Sequence, residues 1–292
     1  MAKQANDERG ERLYLIGEVA QLGGISQRTL RHYDDLGLIE PDRIGENKYR
    51  YYSLETILRI PVINYLKMAG FSLEEISEIF QSGDFGDIKS RLRNRSDEYG
   101  RELRRISECR AAIEDWITLI DEANYVLSVR PIEVSLKYLP PAEYLSMPYR
   151  FWGNFADAVI NLKFTSFVEE HDNVITGPVI LHRLSLEPLA RDGEGGATSV
   201  EGNHEADVLV LQRALRPIDP SNRFDRAGGM FLSTYHTGSF DTLEEAYRRL
   251  FAYARERGYR PAGTSYERYV TDYWTTYNSD LFVAEILLPV ER

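Results

Sequence analysis

Three side chains with hydrogen-bond donors share one face of a short segment near the N-terminus. Arg28, Arg31 and His32 lie at positions i, i+3 and i+4, which places them side by side on a helix. Ser26 is typical of the residue that caps a helix start, and Gly37 is typical of the residue that follows a helix end. A short helix with this face has the size and the donors to enter the major groove of DNA.

The segments around this helix predict a winged helix-turn-helix. Apolar residues at helical spacing predict a helix over 15–22, and the glycine pair at 23–24 turns the chain into the basic helix. Residues 43–52 predict two short strands around a tight turn, which form the wing. Ser72 and Glu75 form a capping-box pattern. Two further helices are predicted, over 53–70 and over 73–80.

Charge and composition limit the class of protein. The formal net charge is −11, yet residues 12–70 carry eight Lys and Arg against seven Asp and Glu, so DNA binding depends on where the charges lie. Cys109 is the one cysteine, which excludes a disulfide framework, and the histidines lack a metal-ligand spacing. We therefore expect no metal and no cofactor. The polar N-terminus and the absence of a long apolar run predict a cytoplasmic protein without membrane contact.

A seven-residue repeat predicts a long helix in the middle of the chain. The apolar positions are Leu92, Tyr99, Ile106, Ile113, Ile120 and Leu127. A second seam, four residues on, is mixed and includes Arg110 and Asn124. This pattern predicts a coiled coil that joins two copies of the chain, and the alternative is one amphipathic helix that packs on its own domain.

After Pro131 the composition shifts toward strands and aromatic residues. Helices are predicted over 155–169 and over 241–257, the second with Asp241 as its cap and Glu244 three residues on. Strands are predicted over 132–136, 179–186, 208–211, 230–235, 266–270 and 282–288, and residues 190–206 predict a loop. The order of two strands, a helix and two strands occurs twice, which predicts a duplicated α+β unit.

Two resemblances to known families follow from these segments. The motifs IGEVA at 16–20, TLRHYDDLGLI at 29–39, YRYYS at 49–53 and LKMAGFSLEEI at 66–76 closely resemble the MerR family of bacterial transcription regulators. The motifs HTGSF at 236–240, YERY at 266–269 and AEILLPV at 284–290 resemble the GyrI-like effector-binding domain. The combination is similar to the multidrug-sensing branch of the MerR family, and implies a multidomain α+β protein. Its expected domains are a winged helix-turn-helix over 12–82, a dimerisation helix over 86–128 and a duplicated effector-binding domain over 131–292.

The resemblance and the local chemistry together predict the residues that contact DNA. Arg28, Thr29, Arg31 and His32 are expected on the side of the helix that faces the groove, where arginine can donate to guanine or to phosphate. Contacts with phosphate and sugar are expected from Tyr33, Arg43, Lys48, Tyr49, Arg50 and Lys67. For Tyr33 and Arg50 a purely structural role is the alternative. The family often has Tyr at position 32 and Gly at position 48, so His32 and Lys48 depart from its pattern.

The GyrI-like resemblance predicts Glu267 as the acidic residue of an effector pocket. On a strand, Glu267 and Tyr269 share one face, and a carboxylate beside aromatic rings suits a lipophilic cation. Tyr149, Phe151, Trp152, Tyr235 and Trp274 are the other candidate walls. The alternative is that these aromatic residues only form the core.

The MerR resemblance implies a specific mode of action. Such regulators bind as homodimers to a palindromic operator in double-stranded promoter DNA whose spacer is too long for RNA polymerase. They bend and untwist that spacer when a small lipophilic effector, with cations among the candidates, binds the C-terminal domain. Two alternatives stay open. The GyrI-like domain could be a small-molecule hydrolase with a glutamate base, or the protein could bend DNA without any ligand.

Overall fold

The computed structural model describes residues 11–46, 48–129, 133–151, 162–186 and 206–292, which divide into two compact units, Met1–Arg104 and Arg105–Arg292. The first unit contains short strands and five helices before a long helix. Its strands are β1 (Tyr14–Leu15), β2 (Arg43–Ile44) and β3 (Arg50–Tyr52), in the sheet order β1-β3-β2. Its helices are α1 (Ile16–Gly23), α2 (Gln27–Asp35), α3 (Leu54–Ile57), α4 (Arg59–Met68) and α5 (Leu73–Ser82).

Apolar side chains at helical spacing hold the first unit together. Val19 of α1, Leu30 of α2 and Ile63 of α4 are completely buried in one cluster, with Tyr52 of β3 and Ile76 of α5. Each helix therefore turns one apolar stripe inward, and burial of each such side chain contributes about 1.5–3 kcal/mol. The helix starts follow from their caps, because Ser26 accepts from the Thr29 N–H at 2.9 Å.

The predicted elements of the first unit are largely confirmed, with two corrections. The wing and the Ser72–Glu75 capping box are present as predicted. The predicted helix over 53–70 is interrupted at Leu58, which separates α3 from α4. Strand β1 was not predicted, because two residues that pair with β3 are too short to give an alternating pattern.

The predicted long helix is one continuous element, α6 (Phe85–Val129), and the boundary between the two units falls inside it. In the first unit, the Tyr99 hydroxyl donates to the Ala69 carbonyl at 3.1 Å. In the second unit, Leu119, Ala123 and Val126 are buried against the sheet. The helix therefore contributes packing residues to both units.

The described residues of the second unit form a curled antiparallel sheet, two α-helices and the C-terminal part of α6. The helices are α7 (Leu162–Glu170) and α8 (Glu244–Arg257). The strands are β4 (Ser135–Leu139), β5 (Ala142–Phe151), β6 (Val179–Arg183), β7 (Ala206–Gln212), β8 (Arg223–Arg226), β9 (Gly229–Thr237), β10 (Arg260–Pro261), β11 (Ser265–Thr271) and β12 (Val283–Glu291).

The strand order confirms the predicted duplication. The sheet runs β4-β9-β12-β11-β6-β7-β5-β8, with β10 paired to β12. In the described residues each half contributes two strands, a helix and two strands, to which the second half adds the two-residue strand β10. The first strand of each half pairs with the second strand of the other. The halves meet where β11 pairs with β6, with Glu267 opposite Leu181. The expected fold class, a multidomain α+β protein, is confirmed.

Several boundaries in the second unit differ from the prediction. Strands β5 and β8 were missed, since β5 contains Pro148 and charged residues and β8 spans four residues. Asp241 does not cap α8, because Ser239 caps a short 3-10 turn over 240–242 and α8 starts after Leu243. Of the helix predicted over 155–169, residues 155–161 lie outside the described residues, and so do residues 190–205 of the predicted loop.

The two faces of the sheet have different coverings. One face packs with α7 and α8 in a large apolar core that includes Leu181, Tyr247, Tyr269 and Ile286. The other face carries Tyr266, Arg268 and Val270 and receives the C-terminal part of α6. In the described part of the chain, no helix has both the length and the apolar character that crossing a bilayer requires.

Candidate DNA interface and effector site

Helix α2 has a buried face and a donor-bearing outer face. Leu30 and Tyr33, three residues apart, lie in the core of the first unit, with 0% and 1% of their surfaces exposed. Arg28, Arg31 and His32 lie on the exposed side, as the spacing predicts. The outer face therefore presents two guanidinium groups and an imidazole that are free to meet a ligand surface.

The wing is tied to α2 by an ion pair. The Arg50 guanidinium donates through Nε to Asp34 Oδ2 at 2.7 Å. This hydrogen bond, which outweighs partial burial, raises the pKa of Arg50 above its ordinary value. The side chain of Arg43 on the paired strand lies over the Tyr51 ring, with 5.6 Å from guanidinium carbon to ring centre. These contacts fix the wing beside the outer face of α2.

The turn of the wing explains why Lys48 is unusual at its position. Its backbone φ is 61°, in the left-handed region that favours glycine. The Lys48 N–H donates to the Gly45 carbonyl at 2.8 Å, which closes the turn. The Lys48 side chain is exposed, as is Tyr49 beside it. A lysine at this position therefore places a positive charge at the tip of the wing at the expense of a strained backbone.

Three of the predicted DNA contacts make interactions within the first unit itself. Tyr33 lies in the core, because its place on α2 is on the Leu30 side, and its ring is withdrawn from solvent. Arg50 is half-buried against Asp34, so its guanidinium positions the wing. Thr29 is half-buried, and its hydroxyl shares a hydrogen bond of 2.8 Å with the hydroxyl of Ser26, the residue that caps α2. Lys67, near the end of α4, is exposed.

In the second unit, the predicted acid Glu267 lies in a buried polar network. Its side chain has no exposed surface and forms an ion pair with Arg183 of β6. The Tyr247 hydroxyl donates to Oε1 at 2.7 Å, and the Tyr269 hydroxyl donates to Oε2 at 2.8 Å. The carboxylate therefore has a cation and two hydroxyl donors of its own.

The electrostatics of this network keep it charged and paired. Burial alone disfavours the Arg183 guanidinium, but the Glu267 carboxylate outweighs burial and holds the pKa of Arg183 above its ordinary value. Burial, and then the same carboxylate, raise the pKa of the Tyr247 and Tyr269 hydroxyls well above their usual value. Both hydroxyls therefore stay protonated and act as donors.

Aromatic residues surround this network on the same face of the sheet. Phe240 meets the Tyr269 ring edge-on at 4.9 Å between ring centres and stacks on Phe282 at 4.9 Å. Tyr149, another predicted wall residue, packs against the same core. The structure thus brings Glu267, Tyr269 and Tyr149 into one core. The Phe151 side chain and Trp152, the other two predicted wall residues of this stretch, lie outside the described part of the structure.

Tyr235 lies elsewhere, which corrects its prediction as a wall of the same pocket. Its hydroxyl donates to Glu122 Oε1 of α6 at 2.8 Å, on the opposite face of the sheet from Glu267. Arg268 donates to both oxygens of Glu122, at 2.6 and 2.7 Å, and to Glu285 at 3.2 Å. We call Glu122, Tyr235, Arg268 and Glu285 the helix clamp, because they attach α6 to the sheet. The sequence of β9 does not show which face of the sheet Tyr235 occupies, because the position of α6 on the sheet cannot be derived from the sequence.

Two cavities lie beside these groups. A cavity of about 150 Å³ is lined by Trp116 and Ile120 of α6, by Tyr269, and by Asp272 and Trp274 of the segment after β11. A larger cavity of about 630 Å³ lies over the helix clamp, between α6 and the sheet. Trp274 therefore lines a cavity that also touches Tyr269, whose hydroxyl donates to Glu267.

Sequence reasoning missed Arg183, Tyr247 and the partners in the helix clamp. Arg183 is separated from Glu267 by 84 residues, and the sole signal for the pair is the adjacency of β6 and β11. Asp272 was also missed, although a lone acid next to two aromatic residues was visible in the sequence. Among the described residues, no three His, Cys, Asp or Glu side chains converge in a way that could hold a metal ion.

Comparisons with known families divide the chain in the same way. Residues 14–83 match the family described as MerR HTH family regulatory protein. Residues 197–291 match the family described as GyrI-like small molecule binding domain. The two matches lie in the first and the second unit, respectively.

Similar proteins are transcription regulators. The multidrug-efflux transporter 2 regulator of Bacillus subtilis is 24% identical over 287 residues, which cover 97% of this chain and 98% of that protein. The mercuric resistance operon regulatory protein of Bacillus cereus is 36% identical over 103 residues, which cover 35% of this chain and 74% of that protein. Among solved structures, a complex of EcmrR with DNA covers 96% of this chain and 100% of its own, with 20% identity and a TM-score of 0.43.

Proposed function

The chain belongs to the MerR family of helix-turn-helix regulatory proteins, and on that premise we propose that it activates transcription in response to a small lipophilic molecule. It is a DNA-binding transcription regulator with a GyrI-like effector domain. Helix α2 and the wing bind promoter DNA, and the second unit binds the effector. We place this activity in the cytoplasm, where promoter DNA is found in bacteria.

The outer face of α2 is the observation that carries the proposal. Arg28, Arg31 and His32 are exposed together, and the ion pair between Arg50 and Asp34 holds the wing beside them. An arginine in the major groove discriminates between bases by about 1–3 kcal/mol, whereas exposed lysines such as Lys48 neutralise phosphates. This division assigns sequence recognition to α2 and positioning to the wing.

We propose that two copies of the chain associate through α6. Its heptad residues Ile106, Ile113, Ile117 and Ile120 are between 43% and 58% exposed in a single copy. Four large aliphatic side chains in one stripe require a partner, and the seven-residue repeat matches a second helix of the same kind. Such a homodimer presents two α2 helices to the two halves of a palindromic operator.

The helix clamp offers a route by which the effector could act on α6. Strand β11 carries Glu267 on one face and Arg268 on the other, and Arg268 holds Glu122 of α6 with two hydrogen bonds. A ligand that displaces β11 therefore also moves α6. The effector favours one geometry of the dimer, which bends and untwists an over-long promoter spacer so that RNA polymerase can use it.

A hydrolytic role for Glu267 is not favoured. A general base needs a carboxylate that can accept a proton from substrate water. Glu267 already accepts from Arg183, Tyr247 and Tyr269, and none of its surface is exposed. The network suits a support for a binding site better than a catalytic base.

The test of DNA recognition is protection of the protein's own promoter region from nuclease, with and without a change on α2. We expect the Arg31→Ala protein to lose operator affinity by about 1–3 kcal/mol, because one base or phosphate contact is removed. Arg255→Ala is the matched control, since Arg255 is an exposed arginine on α8 in the other unit. Equal affinity of the Arg31→Ala protein and the control would reject α2 as the reading helix.

A further inference from the structure

The small cavity beside α6 contains a buried acid that pairs with no cation of the described residues. Asp272 is 6% exposed, and its Oδ1 accepts the Trp274 N–H at 2.8 Å. No other hydrogen bond or ion pair reaches its carboxylate from the described residues. A buried carboxylate without a cation is rare, because desolvation of the charge is expensive. A cation bound from outside the chain would therefore stabilise this carboxylate.

The charge of the Glu267 carboxylate, by contrast, is already balanced by an ion pair within the core. Arg183 supplies its positive charge within the core, and the Tyr247 and Tyr269 hydroxyls complete its hydrogen bonds. A cationic ligand at Glu267 would bring a second positive charge beside the buried Arg183 guanidinium, which already pairs with this carboxylate, and that is unfavourable. The uncompensated negative charge of this region therefore belongs to Asp272.

Aromatic residues line the cavity together with Asp272. They are Trp116 of α6, Trp274 and Tyr269, and among the described lining residues no other carries a charge. Trp116 and Trp274 are 46% and 40% exposed, so the cavity has access to solvent beside them. Aromatic residues around an acid are the recurring receptor for quaternary ammonium groups, through cation–π attraction and charge pairing.

The volume sets the size of the occupant. At about 150 Å³ the cavity matches one benzene-sized group and is too small for a multi-ring drug without rearrangement. We propose that this cavity, and not the Glu267 network, binds a compact organic cation, such as an aryl or alkyl quaternary ammonium group, with Asp272 as its counter-ion. This inference rests on the proposed function, since the cation would be the effector or the part of it that reaches the cavity.

Occupation of this cavity would act on α6 directly. Trp116 and Ile120 belong to α6, and Ile120 is also one of the heptad residues of the proposed dimer contact. A ligand between Trp116 and Asp272 therefore touches the element that has to move. No relay through the sheet is needed for this contact.

Protonation of Asp272 supplies an independent readout. Burial raises the pKa of Asp272 to about 6, and the Trp274 N–H offsets this in part. Tyr269, the other described lining residue with an ionisable side chain, donates its hydroxyl to Glu267, and its pKa is raised well above the usual value, so it does not titrate at neutral pH. Cation affinity should therefore fall about tenfold between pH 7.5 and pH 5, because one pH unit below the pKa leaves about a tenth of the carboxyl ionised.

The experiment is calorimetric titration of the full chain with phenyltrimethylammonium and with its uncharged isostere, tert-butylbenzene. We expect the cation to bind at least tenfold more tightly, and Asp272→Asn to remove this preference without weakening the isostere. Trp116→Leu should weaken the cation, and Trp116→Phe should restore it, which a merely structural role would not do. Asp280→Asn, at an exposed aspartate outside the cavity, is the matched control.

Three results of the titrations would overturn the proposal if the compounds bind. These are equal affinity for the cation and the isostere, full cation affinity in the Asp272→Asn protein, and cation affinity that does not change between pH 5 and pH 7.5. Absence of binding of either compound would overturn it as well. Because operator protection is measured separately, these results would leave the assignment of DNA binding to α2 intact, and loss of operator protection would be the failure of the proposed function.

Discussion

Replacement of Asp272 by asparagine should stabilise the second unit at neutral pH. The carboxyl of Asp272 is buried, no cation from the described part of the chain reaches it, and its pKa rises from 3.8 to about 6 on folding. The difference is about two pKa units at about 1.4 kcal/mol each, so the ionised carboxylate destabilises the fold by up to about 3 kcal/mol. Asparagine keeps the oxygen that accepts the Trp274 N–H and removes the charge.

The predicted gain depends on pH in a defined direction. Below pH 3.8 the carboxyl is protonated in both the folded and the unfolded chain, so its charge has no effect on stability. Between pH 3.8 and about 6 the unfolded chain releases its proton first, and the penalty grows. Above pH 6 the penalty is complete. The Asp272→Asn protein should therefore exceed the parent in stability at pH 7.5, and the two should converge near pH 4.

The assay is urea denaturation followed by tryptophan fluorescence at several pH values. The three tryptophans, Trp116, Trp152 and Trp274, all lie in the second unit, so their emission reports its unfolding. Asp280→Asn controls for loss of an exposed charge. An Asp272→Asn protein that is no more stable at pH 7.5, or whose gain is the same at every pH, would refute the assignment of a buried, unpaired carboxylate.

Three other changes test the remaining elements. Glu122→Ala breaks the helix clamp, and we expect it to lower the unfolding free energy of the second unit by about 2 kcal/mol. It should also reduce the transcriptional response, measured by run-off transcription, more than it reduces ligand affinity, measured by calorimetry. Ile113→Glu places a charge in the exposed stripe of α6, and sedimentation should show a monomer that binds a palindrome weakly; a dimer at the same concentration would contradict the contact. Lys48→Gly removes the strain of a left-handed backbone, so thermal unfolding should show a free energy of unfolding that is higher by up to about 1 kcal/mol. Operator affinity at low salt should fall, because the positive charge at the tip of the wing is lost. Unchanged stability would argue against strain at this position.

The sequence predicted the first unit well because its signals are local. The spacing of Arg28, Arg31 and His32, the cap at Ser26 and the capping box at Ser72 each involve residues within four positions of one another. Such patterns define helices without knowledge of the rest of the fold. The burial of Tyr33 is also implied by its spacing from Leu30, although the sequence alone left a DNA contact open.

The second unit was harder because its site is assembled across long distances in sequence. Arg183 reaches Glu267, and Glu122 reaches Arg268, over 84 and 146 residues. Pairing of β6 with β11 and docking of α6 on the sheet bring these groups together, and neither follows from periodicity. For this reason the sequence predicted Glu267 as the acidic residue of the pocket, whereas the structure pairs Glu267 with Arg183, and no cation of the described residues reaches Asp272.

Run-off transcription on the protected promoter, with purified RNA polymerase, links the two units in one measurement. The protein is added at a concentration that saturates the operator, and a compound shown by calorimetry to bind the second unit is then titrated. We expect the transcript yield to rise with occupancy of the second unit while nuclease protection of the operator stays complete, because the ligand changes the geometry of bound DNA and not its binding. A transcript yield that stays constant as the second unit fills, on a fully occupied operator, would contradict control of transcription by this ligand site.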